Sequence, residues 1–211
     1  MKKLFGLSTL LLLSFFFSGT ASAQKSLTLL GTYGITNQSD DSDGAYGFGA
    51  QYRYFVKPNM AIGLSAKYIT EDINRELSLK TIRGRATNIP VNLMGEYYFG
   101  SRGIKPYVGL EVGLNIQKIE GFNIIVDKST IRPGVSPKVG IILPMGRRLQ
   151  FMVEGSYDVV IGSANSVNVD ATKIGNELYS VKNSNQSITV TGGIRYIFGK
   201  MEKKVKPVPE P

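Results

Sequence analysis

Ser187–Phe198, SITVTGGIRYIF, is the stretch whose reading decides the fold. Ile188, Val190, Ile194, Tyr196 and Phe198 fall on one face, and Ser187, Thr189, Thr191, Gly193 and Arg195 on the other. That period of two is the mark of a strand with two unlike faces. The segment ends on an aromatic residue and runs into a charged, Pro-containing tail.

Seven earlier segments repeat the pattern. The first covers about 26–33, with Leu27, Leu29 and Tyr33 on the apolar side. The second, 45–56, sets Tyr46, Phe48, Ala50, Tyr52, Tyr54 and Val56 against Ala45, Gly47, Gly49, Gln51, Arg53 and Phe55. The third runs from Met60 to about Thr70 and the fourth ends at Phe99. The fifth alternates Val108, Leu110, Val112 and Leu114 with Tyr107, Gly109, Glu111 and Gly113. The sixth spans 134–143 and the seventh starts at Leu149. Short turns at 57–59, 100–103 and 145–148 alternate with long connections at 36–44, 71–86, 119–132 and 161–186. All short turns therefore fall at one end and all long loops at the other. The pattern predicts an all-β fold, an eight-stranded antiparallel up-and-down barrel; in a transmembrane β-barrel the short turns lie in the periplasm and the long loops outside.

The chain of 211 residues suits one all-β domain. It has neither cysteine nor histidine. Disulfides, thiolate sites and His-based metal sites are excluded, and so is any catalytic triad or dyad that needs His or Cys. Residues 1–23 read as a secretory signal peptide. Lys2 and Lys3 precede an apolar run over 4–17, and Ala21-Ser22-Ala23 is a small-residue cleavage site. The run is short for a membrane anchor, which needs roughly 20 residues. The expected domains are a signal peptide over 1–23, the barrel over 24–199 and a periplasmic basic, Pro-containing tail over 200–211. Removing Lys2 and Lys3 from the 25 basic residues, against 16 acidic ones, leaves a formal +7. Export argues against nucleic acid as the partner of that charge, and no basic helix or stacking motif supports one.

Periodicity does not say which face points outward. A soluble lipocalin-type barrel also has eight strands, with its apolar face inward. Three features favour lipid outside. Tyr52, Tyr54, Tyr97, Phe99, Tyr196 and Phe198 lie next to the short-turn end, where an interfacial aromatic girdle belongs. The apolar rows run five or six residues per strand, and with the partners between them the strands exceed the ~9–11 residues of a tilted spanning strand. The polar rows carry Gly47, Gly49, Gly63, Gly109, Gly113, Gly140 and Gly193, and small residues suit a crowded concave interior.

The lumen then holds Arg53, Lys67, Lys105, Lys138 and Arg195 with Glu96, Glu111, Glu154 and Asp158. An eight-stranded barrel has room only for side chains. Charges withdrawn from water there must pair, at several kcal/mol each if they do not. The spacing fits a salt-bridged plug and, as the alternative, a narrow conducting path.

The signal peptide, the alternating strands, the closing GGIRYIF and the basic tail resemble small bacterial outer-membrane β-barrel proteins, of the OmpX-like and OmpA transmembrane-domain types. The resemblance covers about 24–198. It implies an outer-membrane location, no catalysis and no cofactor, with a role in adhesion or membrane integrity. It also implies that barrel-assembly machinery reads the terminal strand through Tyr196 and Phe198. A narrow pore for ions or small apolar molecules is the alternative, and a lipid-modifying enzyme ranks last because such families commonly use His.

Among candidate sites, Ser39, Asp41, Asp43 and Gly44 are a poor calcium loop, with Ala50 where the twelfth ligand belongs. No metal site is expected. Asn37-Gln38-Ser39 and Asn185-Gln186-Ser187 match a glycosylation triplet that a bacterial protein of this architecture does not use. Arg75, Lys80, Arg83 and Arg85 crowd the second long loop and are candidates for lipopolysaccharide phosphates; a plain solvated loop is the rival reading. Strand character in 76–82 and 122–126 suggests hairpins that project past the bilayer and offer an edge to a partner.

Overall fold

The computed structural model describes residues 24–36, 42–77, 80–100, 103–121, 127–162, 166–169, 179–182 and 186–198. The signal-peptide and tail readings, most of the calcium-loop reading and the first triplet lie outside them. Eight strands close a barrel: β1 (Lys25–Thr36), β2 (Ser42–Lys57), β3 (Met60–Leu77), β4 (Lys80–Tyr98), β5 (Lys105–Gly121), β6 (Asp127–Pro144), β7 (Leu149–Val160) and, after a two-stranded excursion of β8 (Ser166–Val169) with β9 (Tyr179–Lys182), β10 (Gln186–Phe198). Neighbours in sequence pair antiparallel around the ring, and β10 closes it on β1 with Lys25 opposite Phe198 and Thr36 opposite Ser187. No helix among the described residues is long and apolar enough to cross a membrane.

Alternation puts the two residue types where the sequence pattern requires. On β5, Leu110 is 47% exposed on the outside and its neighbour Glu111 is 1% exposed inside. The outward rows of β1, β3, β4 and β10 are likewise exposed and apolar, among them Leu29, Ile62, Leu64, Leu93, Val190 and Ile194. An apolar band around a whole barrel, with charges packed inside it, is the inverse of a water-soluble barrel and needs hydrocarbon around it.

Aromatic residues bound the band at both edges. Near the short turns, Tyr97 meets Phe99 edge-on at 5.1 Å and Tyr196 meets Phe198 at 4.8 Å, with Tyr52 and Tyr54 half-buried on β2. At the other edge Tyr33, Tyr46, Phe48, Tyr68 and Tyr157 are exposed, and Phe48 stacks on Tyr68 at 5.6 Å. From Tyr46 to Tyr54 the strand rises ~26 Å, or ~20 Å of height at a tilt of ~40°, close to the ~25 Å apolar band of such barrels.

The long connections are shorter than the sequence suggests, because their strands run on. β3 and β4 stay paired as far as Leu77 opposite Lys80, and β5 and β6 as far as Glu120 opposite Asp127. There the apolar alternation of the sequence stops while the backbone ladder continues. The fourth connection contains the β8–β9 hairpin. Tight curvature is allowed by inward glycines: a Cβ on Gly140 would occupy the place of the Tyr107 ring, and one on Gly47 would strike the Tyr68 carbonyl.

Candidate functional site

The lumen is built in three layers. The lowest, by the short turns, is apolar: Ala61 (β3), Tyr98 (β4), Tyr107 (β5), Ile142 (β6) and Met152 (β7) pack together, with Phe55 against them. The Tyr98 ring lies 5.2 Å from Tyr107 and 5.5 Å from Phe55. These residues close the short-turn mouth of the barrel. All sit on the inward parity of their strands, which is the signal that marks them in the sequence.

The middle layer is ionic. Arg53 lies inside with no exposed surface and forks onto Glu96, Nε at 2.7 Å and Nη2 at 2.9 Å. Its Nη1 donates to Thr28 Oγ1 at 2.8 Å and Nη2 also to Gln51 Oε1. Lys138 Nζ is the hub, 2.8 Å from Glu96, 2.8 Å from Glu111 and 3.0 Å from Glu154. Lys67 lies 3.7 Å from Glu154 and 4.0 Å from Glu111. Tyr107 donates to Glu154 at 2.9 Å, Asn92 to Glu111 at 3.0 Å and Tyr98 to Glu96. Arg195 donates to the Tyr98 hydroxyl at 3.1 Å and lies over the Tyr98 ring at 5.6 Å.

Every barrel strand contributes to this network: Thr28 from β1, Gln51 and Arg53 from β2, Lys67 from β3, Asn92, Glu96 and Tyr98 from β4, Tyr107 and Glu111 from β5, Lys138 from β6, Glu154 from β7 and Arg195 from β10. Half of these residue pairs, among them Arg53–Glu96, Lys67–Glu154 and Arg195–Tyr98, join strands that are not neighbours in the sheet, so the network fixes the cross-section of the barrel as well as filling it. Each of its three carboxylates is held by at least two donors, which is what charges withdrawn from water require.

The top layer is polar and open. A cavity of about 50 Å³ is lined by Lys67, Glu71, Asn88, Asn115, Gln117 and Asp158, among others. Arg132, which the sequence reading leaves in a loop, is buried here and donates to Gln117. Asp158 is half-buried and accepts from Thr189 at 3.1 Å. Lys105 is half-buried at the opposite mouth. Above the lumen, Arg85 pairs with Asp72 at 2.8 Å, both well exposed. The side chains of Arg75, Lys80 and Arg83 lie outside the described residues; their backbones belong to the β3–β4 hairpin. No group of three or more acidic residues able to hold a metal ion occurs among the described residues.

A family model described as the outer membrane protein beta-barrel domain matches residues 8–174. No curated protein sequence matches the chain. Among solved structures, OprG of Pseudomonas aeruginosa is similar at 16% identity with a TM-score of 0.61, over 85% of this chain and 97% of that one. A major outer membrane protein of Thermus thermophilus is similar at 13% identity with a TM-score of 0.55, over 84% of this chain and all of that one. Neisserial surface protein A is similar at 12% identity with a TM-score of 0.51, over 85% of this chain and 99% of that one. At these identities the likeness is one of fold.

Proposed function

The chain belongs to the outer membrane protein beta-barrel domain family, and from that premise we propose that it serves the bacterial outer membrane as a closed structural or interaction barrel, without conduction or catalysis. The observation that carries this reading is the double closure of the lumen. The apolar layer of Tyr98, Tyr107, Ile142 and Met152 fills the periplasmic mouth, and the Lys138 network fills the middle. An ion entering from the polar cavity meets paired charges and then a desolvated seal. The interaction role falls to the loop end, where the β3–β4 hairpin continues past the apolar band. Arg75, Lys80, Arg83 and Arg85 on that hairpin are cations for lipopolysaccharide phosphates, in an adhesion or membrane-integrity role. Tyr196 and Phe198 on β10 present the terminal strand to the barrel-assembly machinery, after export by a signal peptide cleaved behind Ala23.

The polar cavity at the loop-side mouth favours one rival, a narrow pore. Recording the purified protein in planar bilayers decides between them. The closed barrel gives no large, steady conductance; reproducible open-channel steps that persist after the loops are trimmed establish the pore. Binding of purified lipopolysaccharide by the wild type and by a variant with all four cations changed to Gln tests the interaction role. Equal binding by the two removes these residues from it.

A further inference from the structure

The short-turn rim has a composition that neither the closed lumen nor the loop end accounts for. Three turns meet there, and each pairs an exposed apolar residue with a cation. Val56, 55% exposed, precedes Lys57; Ile104, 59% exposed, precedes Lys105; Met145, 67% exposed, stands beside Arg147 and Arg148. Lys57, Arg147 and Arg148 are themselves exposed. Lys25 joins them at the start of β1, in register with Phe198 on one side and Tyr54 on the other. Among the described residues of 54–61, 97–107 and 142–150, none is acidic. The other end of the barrel is mixed, with Glu71, Asp72 and Asp158 beside Arg85 and Arg132.

We infer that this rim is a binding surface for anionic phospholipid in the leaflet that faces the periplasm. Two observations favour lipid over a soluble anion or an acidic protein. The cations are continuous with the aromatic belt: Arg148 Nη1 donates to the Tyr196 hydroxyl at 3.2 Å, and the Ile197 amide donates to the Arg148 carbonyl at 2.9 Å. A phosphate held by Arg148 therefore leaves its acyl chains against Leu149, Tyr196 and Ile194, which are all exposed on the apolar band. The exposed Val56, Ile104 and Met145 are the second observation. Apolar side chains interleaved with basic ones are the composition that seats at a headgroup boundary, and basic residues near an anionic leaflet each add to the attraction. A soluble anion has no use for the apolar knobs.

The test uses the folded protein in vesicles of phosphatidylethanolamine and phosphatidylglycerol, followed by native mass spectrometry of the lipids it retains. Each cation near an anionic surface is worth about a fivefold preference, so the wild type is expected to retain the two lipids in a phosphatidylglycerol-to-phosphatidylethanolamine ratio at least about fivefold above that of the vesicle. The triple variant Lys57→Gln, Arg147→Gln, Arg148→Gln is expected to lose most of that preference while keeping the gel mobility of a folded barrel. Changing Arg75, Lys80, Arg83 and Arg85 to Gln is expected to leave in place the part of the preference that the rim variant removes. Retention in proportion to the vesicle by the wild type overturns the inference. So does a preference that survives the rim variant, or that disappears with the loop-end cations instead. If the triple variant does not fold, Arg148→Gln alone is read against the same thresholds, with about a fivefold fall expected and no fall overturning the inference.

Discussion

Lys138→Met removes one ammonium from between three carboxylates while keeping a side chain of similar length. Lys138 Nζ lies within 3.0 Å of Glu96, Glu111 and Glu154, so the bonded oxygens are no more than about 6 Å apart. At an effective dielectric of ~20, two unit charges at ~6 Å repel by about 3 kcal/mol. Arg53 remains on Glu96, and Lys67 remains near Glu111 and Glu154, which offsets part of that repulsion. The expected net loss is about 3–5 kcal/mol of unfolding free energy, the range for a buried pair that loses one partner. Urea unfolding in lipid vesicles measures it, followed by far-UV circular dichroism and by the change in gel mobility on heating. A double-mutant cycle with Glu111→Gln isolates the electrostatic part. Glu111 keeps Asn92 and Gln51 as amide neighbours, so its neutral analogue still has hydrogen-bond partners. The double variant is expected to be more stable than the sum of the two single losses by about 1–3 kcal/mol. Additivity within about 0.5 kcal/mol would show that the lysine and the carboxylate do not feel each other and would refute a coupled ionic network.

Other outcomes follow from the same geometry. Tyr98→Phe removes the hydroxyl that links Arg195 to Glu96; a loss of about 1–3 kcal/mol is expected in the same unfolding assay, and an unchanged midpoint contradicts the link. Gly47→Ala drives a methyl group into the Tyr68 carbonyl on the neighbouring strand; about 1–3 kcal/mol of destabilisation is expected, whereas a neutral result means that the strands separate easily there. The intact mass of protein extracted from membranes is expected to correspond to a chain beginning at Gln24, and a mass that retains residues 1–23 contradicts cleavage behind Ala23.

The parity of each strand is legible in the sequence because lipid and lumen impose opposite chemistry on adjacent residues. Leu110 and Glu111 differ in type for that reason and differ in exposure accordingly. Parity names the inward side chains but not their heights or partners. Arg53 and Glu96 come from strands that are not neighbours, and no spacing in the chain states that they meet. The apolar seal is hard to see for another reason. Tyr98, Tyr107, Ile142 and Met152 sit on rows that are otherwise polar, where single apolar residues look like exceptions until closure brings them to one level. Strand ends are illegible where the barrel leaves the bilayer. The β3–β4 ladder persists from Glu71 to Leu77 although neither face has to be apolar there. The loop-side aromatic belt is split between four strands, so Tyr33, Phe48, Tyr68 and Tyr157 acquire a common level only once the register is known.

On this reading hydrocarbon surrounds the barrel, and its charged interior opens to water only at the loop end. The absence of cysteine lets a single introduced thiol carry a nitroxide without background. Two positions decide the claim in the protein reconstituted in vesicles: Leu110→Cys, outward on the middle of β5, and Asn88→Cys, on the wall of the polar cavity. The Leu110 label is expected to collide readily with oxygen, which concentrates in hydrocarbon, and poorly with a water-soluble nickel complex. The Asn88 label is expected to show the reverse preference. A Leu110 label that meets the nickel complex freely, or that is shielded from both reagents, would contradict the account.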